Sequence, residues 1–233
     1  MGLFDAKYCS ICGEKIGFLG NRKLEDGNLC KNCASKLSPF FSDRRNSTVE
    51  EIKQQLEYRE QNKQKVKDFN ITKTLGDNQK IFFDENNKQF IVSYYSRFDE
   101  NPDVIDFKDV TGCNLIIDEN KSEIYTKDKE GKRISYKPPR YKYSYDFDLT
   151  IYVNNPYFNE IKIQINGKNI ESKTSPEYEQ YQKIANEIEE TFKGIQEKAK
   201  QENSDVTYTC PACNAVTKPN NSGCCPYCGS KLV

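Results

Sequence analysis

The sequence predicts an α+β chain in which two small four-cysteine modules flank a central antiparallel β region that ends in a helix. Two observations carry this prediction. Eight of the ten cysteines form four Cys-x-x-Cys pairs, two near each end of the chain. Between them, apolar residues first recur at every second position, as in strands, and then at helical spacing. We expect an N-terminal module at 1–40, a connecting helix at 41–69, the β domain with its helix at 70–200, and a C-terminal module at 201–233.

The cysteine pairs predict two metal sites. In a tight turn, a two-residue gap lets both thiolates face one ion, and two such turns complete a tetrahedral shell. We therefore predict two structural Zn²⁺ ions, with no coordination position left open for catalysis. The predicted ligands are Cys9, Cys12, Cys30 and Cys33 at one end, and Cys210, Cys213, Cys225 and Cys228 at the other.

The residues beside the cysteines refine this picture. Gly13 and Gly229 each follow a pair, where positive φ is common and glycine accepts it at least cost. A short helix after Cys33 would make the first site treble-clef-like. Cys225 keeps the two-residue spacing to Cys228, so we take the adjacent Cys224 as spare. We interpret Cys113 as a small core residue.

Composition excludes several function classes. The chain has no histidine, which removes imidazole bases and histidine metal ligands. It also lacks a P-loop, a dinucleotide-binding glycine motif and a nucleophile elbow, so we predict no enzyme. Its 35 basic and 35 acidic residues balance, which argues against a strongly basic nucleic-acid coat. Without a long apolar run we expect no transmembrane segment and a cytoplasmic protein, in which thiols stay reduced.

The N-terminal run C-S-I-C-G-E-K-I-G-F-L-G-N-R-K-L-E-D-G-N-L-C-K-N-C resembles a bacterial N-terminal zinc-ribbon family of unknown function. The shared features are the first Cys-x-x-Cys-Gly, an Ile-Gly pair and a Leu-x-Asp-Gly-x-Leu-Cys approach to the second pair. The resemblance covers about the first 40 residues and implies no activity. The C-terminal run is similar to a generic zinc ribbon.

The central region begins with a helix. Overlapping capping boxes run from Ser47 to Glu50 and from Thr48 to Glu51, and they predict a helix that continues to about Lys67 and connects the modules in solvent. Predicted strands follow at 81–83, 90–94, 104–107, 114–118, 123–126, 134–136, 143–153 and 161–165, with turns that include 118–121 and 129–131. Ser175 and Pro176 then start a helix with one apolar face.

About seven short antiparallel strands followed by one amphipathic helix resemble a pleckstrin-homology-like (PH-like) barrel. A β-sandwich with a flanking helix is the alternative. Members of the PH-like superfamily that bind phosphoinositides place basic residues in the first strand–strand loop. The corresponding loop here is 84–87 and is acidic, so the resemblance implies that phosphoinositide is an unlikely partner.

A basic segment at 127–142 is the remaining candidate surface. It includes Lys132, Arg133, Lys137, Arg140 and Lys142, with tyrosines among them. Bases beside aromatic rings can bind phosphates and stack nucleobases, although a solvated hairpin explains the same pattern. Our first hypothesis is a non-enzymatic zinc-binding adaptor with a protein partner. The alternative is a nucleic-acid-binding protein that uses the zinc modules and this hairpin.

Overall fold

A computed structural model of the chain describes residues 6–96, 98–205, 208–220 and 222–232. The N-terminal module consists of two small hairpins and one helical turn: β1 (Lys7–Tyr8), β2 (Lys15–Ile16), β3 (Arg22–Lys23), β4 (Asn28–Leu29) and α1 (Lys31–Ala34). The short helix predicted after Cys33 begins earlier, at Lys31. Cys30 is its N-cap, and the Cys30 sulfur accepts a hydrogen bond from the Cys33 amide.

Helix α2 (Val49–Asp68) starts at the second of the two predicted capping boxes. The Thr48 hydroxyl accepts from the Glu51 amide at 3.2 Å, and the Glu51 carboxylate accepts from the Thr48 amide at 2.7 Å. Ser47 instead donates its hydroxyl to the Asp43 carbonyl.

Helix α2 is less solvated than its charged sequence predicts. Ile52 is fully buried in the core of the N-terminal module. At the other end, Val66 and the residue after the helix, Phe69, pack on the outer face of the first sheet described below. The helix thus packs against both the module and the β region.

The central region contains two antiparallel sheets. The first has the strand order β5-β6-β7-β8, with β5 (Lys73–Leu75), β6 (Lys80–Asp84), β7 (Gln89–Ser93) and β8 (Val104–Asp106). The second has the order β11-β10-β9, with β9 (Val110–Lys127), β10 (Arg133–Val153) and β11 (Glu160–Gln164). Helix α3 (Pro176–Asp205) follows, and β12 (Tyr208–Thr209) pairs with β13 (Val216–Thr217) in the C-terminal module.

The two sheets do not close into a barrel. Among the described residues, no strand of the first sheet pairs with a strand of the second. Both sheets and α3 nevertheless share one core. Phe192 of α3 lies 5.2 Å from Phe90 and 5.8 Å from Phe83, between ring centroids, while Phe147 and Ile151 enter from the second sheet. The arrangement is a mixed α+β fold, and the closed PH-like barrel is not confirmed.

Strands β9 and β10 are longer than the sequence predicts. The expected turn at 118–121 is wrong, because residues 118–127 pair with β10 without interruption except for a bulge between Ser135 and Arg140. The strands expected at 134–136 and 143–153 are likewise parts of one strand. The reversal occurs at 128–132, which contains the predicted turn at 129–131, with Gly131 at φ 84°.

This hairpin extends well beyond its sheet. Strand β11 pairs only with residues 148–152, and the last bridge on that side joins Tyr145 to Ile170. We call residues 120–144 the arm. No residue from 111 to 144 is buried. At about 3.4 Å per residue, the part of β9 from Lys121 to its end spans about 24 Å.

Candidate metal centres

The four N-terminal thiols form a compact group. All four sulfur atoms lie within 4.8 Å of one another, and the Sγ atoms of Cys12 and Cys30 are 3.8 Å apart. In a regular tetrahedron with Zn–S bonds near 2.3 Å, neighbouring sulfurs are about 3.8 Å apart. The group therefore has the dimensions of a four-thiolate metal site.

The C-terminal thiols form a second group of the same size. Their sulfur atoms also lie within 4.8 Å of one another. The Sγ–Sγ distances are 3.4 Å for Cys210 and Cys228, and 3.7 Å for Cys213 and Cys225. Cys224 is not in the group: its sulfur points to the Ser222 carbonyl at 3.6 Å. Cys113 is half-buried against the central core.

One local turn recurs in three of the four cysteine pairs. The amide four residues after the first cysteine donates to its carbonyl: Gly13 to Cys9 at 2.9 Å, Asn214 to Cys210 at 2.8 Å, and Gly229 to Cys225 at 2.8 Å. The donors Gly13, Asn214 and Gly229 all have positive φ, as the sequence predicts for the two glycines. The fourth pair, Cys30–Cys33, has the same hydrogen bond, from the Ala34 amide to the Cys30 carbonyl at 2.9 Å, but there the chain continues into α1 without a positive φ.

Hydrogen bonds to sulfur favour the thiolate at one cysteine of each group. Burial acts to raise the pKa of Cys9, but backbone amides that include those of Cys12 and Cys30 lower it overall to about 6. Hydrogen bonds with the Ser230 side chain and backbone lower the pKa of Cys228 to about 6. Burial raises the pKa of Cys33, and for Cys213 a backbone hydrogen bond at Ala215 lowers the pKa but hydrogen bonds with the other thiols raise it overall. Thiolate is the form that binds metal. Each group can hold one metal ion, and four thiolates with tetrahedral spacing are consistent with zinc.

The basic candidates from the sequence all lie on the arm. Arg133 stacks over the Tyr125 ring at 3.8 Å, and Arg140 over the Tyr136 ring at 4.5 Å, both measured to the ring centroid. Lys142 forms an exposed ion pair with Glu171 at 2.8 Å. Lys132 and Lys137 are exposed. All five residues therefore lie on one hairpin, but its register places Arg133 on one face of the ribbon and Arg140 and Lys142 on the other.

Sequence reasoning missed one basic residue of the arm. Lys121 lies 3.9 Å from the centroid of Tyr141, because β9 pairs with β10 at positions that the sequence assigned to a turn. Across the arm, basic residues outnumber acidic residues by eight to three. The signal in the sequence was the tyrosine at every second position from Tyr141 to Tyr145, which continues strand β10 toward the turn.

A buried polar network joins the N-terminal module to the β region. The Asp103 carboxylate accepts from Arg59 of α2 at 2.6 Å and from the Ser38 hydroxyl at 2.8 Å. Arg59 also donates to the Lys36 carbonyl at 3.3 Å and to the Asn101 carbonyl. Three segments that are distant in sequence thus meet at one carboxylate. Arg59 lies in the charged middle of α2, so the sequence predicts that it faces solvent and does not indicate this contact.

Comparison with known proteins adds one finding. A family model described as a domain of unknown function (DUF4428) matches residues 7–55. The match covers the first cysteine group and the start of α2, so the N-terminal module is similar to a domain whose function is not known. No curated protein and no solved structure shows a significant match to the chain. Among the described residues, no helix is both long and apolar enough to span a membrane.

Proposed function

We propose that the chain is a non-enzymatic cytosolic adaptor. Two structural Zn²⁺ ions stabilise its end modules, and the arm binds a protein partner. The observation that carries this proposal is the arm itself. It presents about 24 Å of two-stranded ribbon, and no strand in the described parts of the chain pairs with either of its edges.

The metal groups support a structural role for zinc. Each group supplies four protein sulfurs, which fill a tetrahedral shell and leave no position for a reacting water. Structural zinc sites of this kind contribute folding free energy directly. Neither two-residue strand of the C-terminal module contains a buried residue, so the metal would supply much of that module's stability.

The order of elements in the central region supports the PH-like interpretation. Four consecutive strands form one sheet, three form the next, and a helix follows. The loop after β6 opposes phosphoinositide binding. Burial acts to raise the pKa of Asp84, but hydrogen bonds from Asn70 and Asn87 lower it overall, which keeps a carboxylate at that loop. An anionic headgroup would be repelled there.

The arm has the features of a protein-binding surface. An isolated two-stranded ribbon is marginally stable in water, and its open edges expose backbone groups that an added strand can pair with. Tyr125 and Tyr141 are each about 40% exposed, with cations stacked on their rings. Tyrosine and arginine are enriched among the residues that dominate binding energy at protein interfaces.

Nucleic-acid binding is the second candidate, and the excess of basic residues on the arm favours it. A two-stranded ribbon also fits the major groove of duplex DNA. Against it, Lys142 is already paired with Glu171, and the chain as a whole has zero net charge. We therefore expect little nucleic-acid binding at physiological salt, where the Debye length is about 8 Å.

An affinity pull-down with and without nuclease tests the proposal. A direct protein partner survives nuclease and is lost in the double variant Tyr125→Ser and Tyr141→Ser. The matched control is Tyr94→Ser with Tyr95→Ser, which removes two exposed tyrosines elsewhere and leaves capture unchanged. Capture that the arm variant does not weaken would contradict the proposal.

Direct titration with single-stranded and duplex nucleic acid tests the alternative. The diagnostic variant replaces four basic residues of the arm by glutamine: Lys132, Arg133, Lys137 and Arg140. Phosphate contacts would make the affinity fall steeply as salt is added, because each neutralised phosphate releases about 0.7 to 0.9 counterions. Sub-micromolar binding at physiological salt that the quadruple variant abolishes would replace the adaptor proposal with the nucleic-acid one.

A further inference from the structure

The turn between β2 and β3 exposes two adjacent apolar side chains. Phe18 is 94% exposed and Leu19 is 83% exposed, the highest values for large apolar residues among the described parts of the chain. Single apolar residues on a surface are ordinary, but two neighbours fully in solvent at one tip cost free energy that a ligand can recover. Nothing in the metal sites or the arm uses them.

The protein holds this tip in a fixed position. The Gly20 amide donates to the Gly17 carbonyl at 3.0 Å, which closes the turn. Ile16 is buried just before it. Just after it, Asn21 donates its side-chain amide to Asn28 at 2.9 Å. The two apolar side chains are therefore displayed on a closed turn beside the first cysteine group.

Basic side chains cluster next to the tip. Arg22 donates to the Leu19 carbonyl at 3.4 Å, and Arg44 donates to the Lys23 carbonyl at 2.9 Å. Burial, followed by the charges of Arg22 and Arg45, lowers the pKa of Arg44, as expected when guanidinium groups lie close together. Within the described residues, none of these three arginines forms an ion pair with a carboxylate. The cluster has positive charge available for an external anion.

We propose that the tip at 17–20 inserts Phe18 and Leu19 into the surface of an anionic phospholipid bilayer, while the adjacent arginines contact the lipid headgroups. Apolar side chains that enter the headgroup boundary, together with basic residues that meet anionic lipid, are the two contributions that peripheral membrane binding requires. This site is separate from the arm and from the 84–87 loop, and it does not require a particular headgroup.

The size of the patch favours a bilayer over a second protein surface. Stable protein interfaces bury about 800 Å² on each partner, around a packed apolar centre. Two side chains at the end of a turn provide much less. A bilayer needs no complementary shape, and reversible binding follows from a small apolar insertion supported by charge.

Fluorescence provides the direct test, because the chain contains no tryptophan. The variant Leu19→Trp places one reporter at the tip, and Tyr95→Trp places one at another exposed position. With vesicles of phosphatidylcholine and phosphatidylserine, the Leu19→Trp emission should move to shorter wavelength and the Tyr95→Trp emission should not. Unchanged Leu19→Trp emission at saturating vesicle concentration would overturn the proposal.

Vesicle co-sedimentation measures the two contributions separately. The double variant Phe18→Ser with Leu19→Ser should weaken partitioning at least about tenfold, since two apolar side chains are no longer buried. Replacing Arg22 and Arg45 by glutamine should weaken it about tenfold as well. For the unmodified chain, binding should decrease with added salt and with omission of phosphatidylserine. Equal partitioning into vesicles with and without phosphatidylserine would contradict the proposal, as would a tip-dependent dimer that does not bind vesicles.

Discussion

Removing the charge of Asp103 should loosen the junction between the N-terminal module and the β region. Asp103→Asn keeps the shape of the side chain but leaves the Arg59 guanidinium buried without its counter-ion. The two groups are 2.6 Å apart, and their side chains are 5% and 0% exposed. Ser38, which donates to Asp103, and the two backbone carbonyls that accept from Arg59 would also lose their fixed arrangement.

The size of the effect follows from this burial. Removing one partner of a buried ion pair typically costs about 3–5 kcal/mol. For a chain of this size, each kcal/mol lowers Tm by about 2–4 °C. We therefore expect Asp103→Asn to lower the Tm of the main transition by about 6–20 °C, measured by circular dichroism at fixed zinc concentration.

An exposed ion pair on the same helix supplies the control. Lys63 and Glu60 are 2.7 Å apart, yet their side chains are 52% and 66% exposed. Lys63→Met should change stability by no more than about 1 kcal/mol, because solvent screens such pairs. If Asp103→Asn unfolded at the same temperature as Lys63→Met, the network would not stabilise the junction and the reasoning would be wrong.

Two further predictions concern the core and the metal sites. Phe192→Ala should lower the free energy of unfolding by about 3–5 kcal/mol in a urea titration, because the ring is fully buried between Phe83 and Phe90; a loss under about 1 kcal/mol would contradict the shared core. Cys30→Ser and Cys210→Ser should each lose one of two zinc ions, but only Cys30→Ser should lower the main thermal transition, because its group packs with Ile52 of α2. If both variants lowered the main transition equally, the C-terminal module would be coupled to the β region as strongly as the N-terminal module, which would contradict this prediction.

The sequence predicts elements well where short-range chemistry determines them. Cysteine spacing brings the two thiol groups together because each pair closes within one turn. Helix α2 begins at a predicted capping box, and the alternation at 143–153 places Phe147, Leu149 and Ile151 in the core. Periodicity suffices there because one face of each element is buried.

Long-range pairing is what the sequence does not reveal. Polar residues at 118–121 have the composition of a turn, yet strand pairing with β10 carries the chain through them. Strand β5 was missed because Lys73 and Thr74 give no apolar run, and only pairing with β6 defines it. Barrel closure depends on contacts between sheets, which strand order along the chain does not determine. Arg59 was missed for a similar reason, because its partner Asp103 is distant in sequence.

Metal content tests the central claim most directly. Elemental analysis or native mass spectrometry of freshly purified protein should give two zinc ions per chain. Cys224→Ser should keep both ions and Cys225→Ser should lose one, because only the Cys225 sulfur belongs to the C-terminal group. Fewer than about two zinc ions in the unmodified chain, or disulfides within the cysteine pairs, would contradict the account of two structural four-thiolate sites.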